Sequence, residues 1–174
     1  MQGGGTIPSR FRGRARRDAV AFYLTQLARA LLAGEMTVVS GDRATTLATS
    51  EPLALEIDVK DKKRASAVVV RIRWAKRPLI RAEGSDPSPG ELEFCGSATP
   101  AEAAETLARL ADGIRAGGLA VSLGADKITM LPAGDLSLEI DASERKGRGK
   151  LEIVITWRSG KALHTLSLPG RGAG

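Results

Sequence analysis

Apolar and polar residues alternate along Val68-Val69-Val70-Arg71-Ile72-Arg73-Trp74, which puts Val68, Val70, Ile72 and Trp74 on one face and Val69, Arg71 and Arg73 on the other. A period of two predicts a half-buried β-strand closed by a tryptophan. The pattern returns 83 positions later in Leu151-Glu152-Ile153-Val154-Ile155-Thr156-Trp157, with Leu151, Ile153, Ile155 and Trp157 in phase. From Leu24 to Trp74 the two stretches align over 51 positions without a gap, and 16 residues are identical. The chain reads as a duplication.

Each copy carries one helical pattern ahead of its strands. Val20, Tyr23, Leu24, Leu27, Ala28, Leu31 and Leu32 recur at helical spacing between Asp18, placed as an N-cap, and Gly34, placed as a stop. The counterpart is Thr99-Pro100-Ala101-Glu102 followed by Ala104, Leu107, Leu110, Ala111 and Ile114, with Gly117 and Gly118 ending it. Short alternating strands follow around Met36 and Val38 and around Leu119, Val121 and Leu123. Leu53-Ala54-Leu55-Glu56-Ile57-Asp58 then matches Leu136-Ser137-Leu138-Glu139-Ile140-Asp141, apolar residues inward and carboxylates outward. Phe11 and Gly13 align with Phe94 and Gly96, so a short strand is expected to open each copy.

The expected architecture is α+β: two tandem repeats, each a mostly antiparallel sheet of four to five strands with one face covered by a single amphipathic helix. The expected boundaries are a disordered Gly-rich N-terminus at 1–9, a first repeat at 10–77, a Pro/Gly-rich linker at 78–90 and a second repeat at 91–160. In the tail at 161–174, Leu166 and Leu168 keep the alternation of an edge strand before a disordered Gly-rich end.

Helix, turn glycine, Leu-x-Leu-Glu-Ile-Asp strand, polar hairpin and Trp-ended strand together resemble the small prokaryotic amphi-Trp domain family, present as two tandem copies over nearly the whole chain. The resemblance implies this fold. It implies no catalytic residues and no cofactor.

Charge changes the picture more than composition does. Residues 1–83 hold 16 Lys/Arg against 8 Asp/Glu, a net of +8; residues 84–174 hold 10 against 12, a net of −2, and the sum is +6. The excess gathers at Arg10, Arg12, Arg14, Arg16 and Arg17 and at Lys60, Lys62, Lys63 and Arg64, with Arg71 and Arg73 on the exposed face of the Trp-ended strand. These eleven side chains are the candidates for an anionic partner. Only 3% of residues are aromatic, so Trp74, Trp157, Phe11 and Phe94 are expected in the core, and a base-stacking platform is not expected.

No recognisable catalytic constellation follows. His164 is the sole histidine and Cys95 the sole cysteine, which excludes an internal disulfide and a multi-cysteine zinc site. Glu56/Asp58 and Glu139/Asp141 recur at a spacing that puts both carboxylates outside a strand, where cross-strand ion pairing accounts for them, Glu56 with Arg71 in particular. Gly147-Arg148-Gly149-Lys150 departs from the phosphate-loop spacing and leads into a strand. Arg29 and Gln26 break the apolar run after Arg16-Arg17, so that segment reads as a helix and not as a secretion signal. The expectation is a cytoplasmic, non-enzymatic protein that acts through protein–protein contacts or self-association, with no membrane, small-molecule substrate, metal or cofactor. The alternative is sequence-nonspecific nucleic-acid binding through the basic arm and the 60–64 loop.

Overall fold

The two Trp-ended strands lie side by side, antiparallel, at the centre of the molecule. In the computed structural model, which describes residues 6–49, 53–74, 91–123, 126–145 and 148–158, they are β6 (Ala65–Trp74) and β11 (Arg148–Arg158). The first half of the chain also forms β1 (Thr6–Pro8), β2 (Arg10–Ala15), α1 (Arg17–Ala33), β3 (Glu35–Ser40), β4 (Arg43–Ala48) and β5 (Leu53–Asp61). The second half forms β7 (Glu91–Ala98), α2 (Pro100–Ala116), β8 (Leu119–Leu123), β9 (Asp126–Met130) and β10 (Leu136–Arg145). The chain is α+β and mostly antiparallel.

One large sheet takes strands from both halves, in the order β2-β10-β11-β6-β5-β7. This differs from a separate sheet for each repeat. β2 of the first half pairs with β10 of the second, Gly13 opposite Leu138, and β7 of the second pairs with β5 of the first, Gly96 opposite Leu55. Both positions of the second pairing are 83 residues from those of the first, so the edge strands are exchanged reciprocally. At the centre Val70 stands opposite Ile153, its own counterpart at that offset. Alternation fixes which face a strand buries but not which strand lies beside it, so the exchange leaves no mark on the hydrophobic pattern.

The inner face is covered by α1 and α2, which pack against each other. They run antiparallel, because Arg17 at the start of α1 lies against Gly117 at the end of α2. Val20, Leu24, Leu27 and Leu31 of α1 and Leu107, Leu110 and Ile114 of α2 are buried against the strands' apolar rows, forming a single core. Burial of each such side chain contributes about 1.5–3 kcal/mol.

The helices begin differently. Thr99 accepts from the Glu102 amide at 3.1 Å and donates its own amide to the Glu102 carboxylate at 2.9 Å, a complete capping box ahead of Pro100. At α1 the N-cap is Arg16, with no side-chain cap bond, and Asp18 sits inside the first turn instead of capping it. Both helices end on a glycine in the left-handed conformation, Gly34 and Gly117, each at φ 81°.

The N-terminal stretch expected to be disordered contains β1 at Thr6–Pro8, which pairs in parallel with β3. Ser9 then carries the chain across: its amide donates to Val39 O and its carbonyl accepts from the Ala142 amide. These pairings satisfy backbone donors and acceptors of the stretch. The linker at 78–90, the tail at 161–174 with its edge-strand pattern, and His164 lie outside the described residues.

Candidate functional site

Trp74 and Trp157 are both core residues, 1% and 5% exposed, and each faces a small residue across the β6–β11 pair. Trp74 stands opposite Gly149, where a β-carbon would run into the indole ring. Trp157 stands opposite Ser66, whose hydroxyl donates to Asp61 at 2.7 Å. Neither indole N–H has an acceptor among the described residues, so shape and burial hold these rings.

The outer face of the sheet carries an ordered charge pattern. One row across six strands reads Arg10, Asp141, Glu152, Arg71, Glu56, Cys95, and the next reads Arg12, Glu139, Val154, Val69, Asp58, Glu93. Arg71 is the hub: its Nε donates to Glu152 at 2.6 Å, and its Nη1 lies 3.3 Å from Asp58 and 3.6 Å from Glu56. The hydrogen bond to Glu152 raises the guanidinium above its ordinary pKa. Desolvation opposes this, and the charges of Glu152, Asp58 and Glu56 reinforce it. Glu56 therefore does lie opposite Arg71, but three carboxylates converge where the sequence suggested one.

The other basic candidates are partly committed within the chain. Arg73 pairs with Glu56 at 3.5 Å, Arg12 with Glu139 at 3.0 Å, Arg10 with Asp141 at 3.9 Å, and Lys62 with Glu91 at 2.8 Å. The bond from Lys62 lowers the Glu91 pKa. Arg17 reaches the C-terminus of α2, where unpaired carbonyls favour a cation. Among the described residues no ion pair forms at Arg14, Arg16, Lys60, Lys63 or Arg64. Arg14 and Lys60 share a third row, through Ser137, Thr156 and Ala67, so arm and loop reach the same end of the sheet on strands four positions apart, about 19 Å.

The feature that sequence reasoning missed is a cavity of about 440 Å³ walled by β5 and β6 of the first half and by β7, α2 and β8 of the second. Leu55, Val70, Leu92, Leu110, Leu119 and Val121 form much of its wall; Glu102, Thr106, Arg109 and Ser122 supply polar lining from α2 and β8, and the edge strand β7 borders it at Glu93 and Ser97. The equivalent space in the first half is filled differently. Phe11 packs on Tyr23 with ring centroids 5.8 Å apart, and β1 runs alongside β3. In the second half Phe94 replaces Phe11 but Thr106 stands where Tyr23 would be, and β8 has β9 as its one strand partner among the described residues. Phe94 is correspondingly 36% exposed. The Tyr-to-Thr difference is legible in the alignment; that it opens a cavity needs the fold.

In each half the phenylalanine ring covers the glycine two residues on, Phe11 over Gly13 and Phe94 over Gly96, with ring carbons 3.4 and 3.3 Å from where a β-carbon would sit. The glycine clears room for the ring, which accounts for the Phe-x-Gly recurrence on both exchanged strands. Among the described residues no cluster of three or more His, Cys, Asp or Glu is placed to hold a metal ion, and no helix is long and apolar enough to cross a membrane. Cys95 lies half-buried on β7. No family model, no curated protein and no solved structure matches the chain.

Proposed function

We propose that this is a non-enzymatic binding protein that works through protein–protein contact, and that its working surface is the open groove of the second half. One observation carries the reading: a largely apolar cavity of about 440 Å³ lies beside two strands, β7 and β8, whose outer edges meet no strand among the described residues. Apolar volume with a few polar groups at its rim favours occupancy. Free strand edges offer backbone donors and acceptors to another chain. On this reading the chain is a tandem protein of the amphi-Trp kind in which one copy has been closed and the other left open.

Selection of a displayed random-peptide library on the full chain tests it. Binders are expected that lose ~10-fold or more in affinity, about 1.4 kcal/mol, in the Thr106→Tyr variant and keep it in Arg71→Met. Binders indifferent to Thr106→Tyr, or none at all, contradict the proposal.

Nucleic-acid binding is the second reading, favoured by the shared row of Arg14 and Lys60 near the 60–64 turn. Its test is binding of duplex and single-stranded DNA and RNA across a salt series, with Arg14, Lys63 and Arg64 changed to alanine. Steep salt dependence that flattens in the variant supports it, and no binding at low salt removes it.

A further inference from the structure

We propose that the β10–β11 hairpin end of the sheet's outer face binds a compact, multiply phosphorylated anion through Arg73, Arg145, Arg148 and Lys150. This site is separate from the groove and stands or falls independently of the protein-binding function.

Strand register builds the patch. Arg145 on β10 stands opposite Arg148 on β11, and one row further in Lys150 on β11 stands opposite Arg73 on β6. Neighbours in a row lie about 5 Å apart and the two rows about 7 Å, so four cations share one small area of the outer face. All four are exposed. Like charges set directly opposite each other on adjacent strands repel, and here two such pairs are stacked. Arg73 reaches Glu56 at 3.5 Å, whereas Arg145, Arg148 and Lys150 form no ion pair among the described residues.

The nearest carboxylates do not relieve the repulsion. In the next row Asp141 is held by Arg10, Glu152 by Arg71, and Glu56 by Arg71 and Arg73. Glu144 alternates onto the other face of the sheet, opposite Gly149. The hairpin of the first half is also basic, yet its charges are dispersed: Lys60 stands opposite Ala67, and Lys62 bonds Glu91 at 2.8 Å. Stacked like-charged pairs belong to the second hairpin.

The chemistry follows from the groups and their spacing. Three of the four are guanidiniums, whose planar forks fit phosphate oxygens two at a time. A terminal phosphate carries close to two negative charges where a carboxylate carries one, so a short run of linked phosphates can face all four cations within this area. The carboxylates of the next row bound the patch and repel a polyanion that continues along the sheet, which selects a compact anion over a long one. None of the four side chains lines the cavity, so charge carries recognition here and an apolar part of the ligand does not.

The probe is inorganic triphosphate, titrated into the full chain at low salt by calorimetry, with backbone amide shifts in nuclear magnetic resonance giving the position. The expected results are saturable binding, shift changes concentrated at residues 143–145 and 148–150, and binding at least ~10-fold weaker in Arg148→Ala and Lys150→Ala but unchanged in Lys63→Ala. Both site variants alter exposed side chains and are expected to fold. Without triphosphate, Lys150→Ala is expected to melt no lower than the parent, because it removes a repelling pair. With triphosphate the parent melts higher and the variant does not.

Five results overturn the inference. No saturable binding is the first, and equal weakening in Lys63→Ala is the second, since it marks diffuse attraction to the net charge of +6. A glutamate peptide of matched charge that binds as tightly would assign the patch to an acidic protein segment. An oligonucleotide of matched charge that binds more tightly would assign it to nucleic acid. Lys150→Ala melting below the parent without triphosphate would remove the repulsion on which the site rests.

Discussion

The two halves share strand patterns, helix lengths and exchanged edges, yet the first closes its groove with β1 and the Phe11–Tyr23 pair while the second leaves about 440 Å³ open. The frame repeats and the closure does not. The inward rows are apolar in both halves because one sheet and one core need them, so they follow the same burial rule throughout. The residues at the outer edges serve no such common need. At the offset of 83, Arg10, Arg12, Arg14 and Tyr23 correspond to Glu93, Cys95, Ser97 and Thr106. Under the proposed function, these differences between corresponding positions at β7, α2 and β8 are what leaves the groove open.

The largest expected break comes at the centre of the sheet, where the halves are unequal in a different way. Gly149→Val would drive a branched side chain into the Trp74 ring and is expected to cost at least ~3 kcal/mol or prevent folding. Ser66→Ala at the equivalent position loses one hydrogen bond to Asp61 and is expected to cost about 1 kcal/mol. Chemical denaturation of both variants measures the gap. Equal effects would mean that the two tryptophans are packed alike.

Removal of the Arg71 hub ranks next. Arg71→Met leaves Asp58 and Glu152 without their cation and Glu56 with Arg73 alone, at an expected cost on the order of 1–2 kcal/mol at neutral pH. The loss should shrink at high salt, which screens ion pairs between partly exposed side chains. A variant whose deficit is unchanged between low and high salt would show that packing, and not charge, sets it.

Smaller effects lie at the helix starts. Thr99→Ala removes the α2 cap and is expected to cost about 1 kcal/mol, while Arg16→Thr offers α1 the cap it lacks and is expected to add about 0.5 kcal/mol. Hydrogen bonds from the Thr99 backbone and side chain hold the Glu102 carboxyl below its ordinary pKa. A depressed carboxyl stabilises the fold above the unfolded-state pKa and loses that contribution as pH falls through the folded one. Glu102→Gln should therefore differ from the parent at neutral pH and converge with it in acid, as read by melting temperature against pH.

Much of this frame is legible in the residues alone. Alternation at Val68–Trp74 and Leu151–Trp157 marks the central strands, helical spacing and glycine stops mark α1 and α2, and Thr99-Pro100-Ala101-Glu102 spells out a capping box. The partners of those strands are not legible. A period of two names the buried face and is silent about the neighbour, so exchanged β2 and β7 look like strands of their own halves. β1 is short and follows a run of glycines, which hides it. Charges are legible as types and only partly as pairs: the spacing suggests Glu56 opposite Arg71, but neither Asp58 and Glu152 beside the same guanidinium nor Arg73 on Glu56. The cavity is least legible of all, because it consists of what Thr106 does not fill.

The measurement that bears most directly on closed against open is residue-resolved amide exchange on the free full chain, comparing β3 with β8. The account predicts that amides among Thr37–Val39 facing β1 are protected by that pairing, while those at the same positions of Ala120–Ser122 exchange at least ~10-fold faster. Equal protection of the two edges would contradict it, since β8 would then be covered as β3 is and the second half would have no open groove.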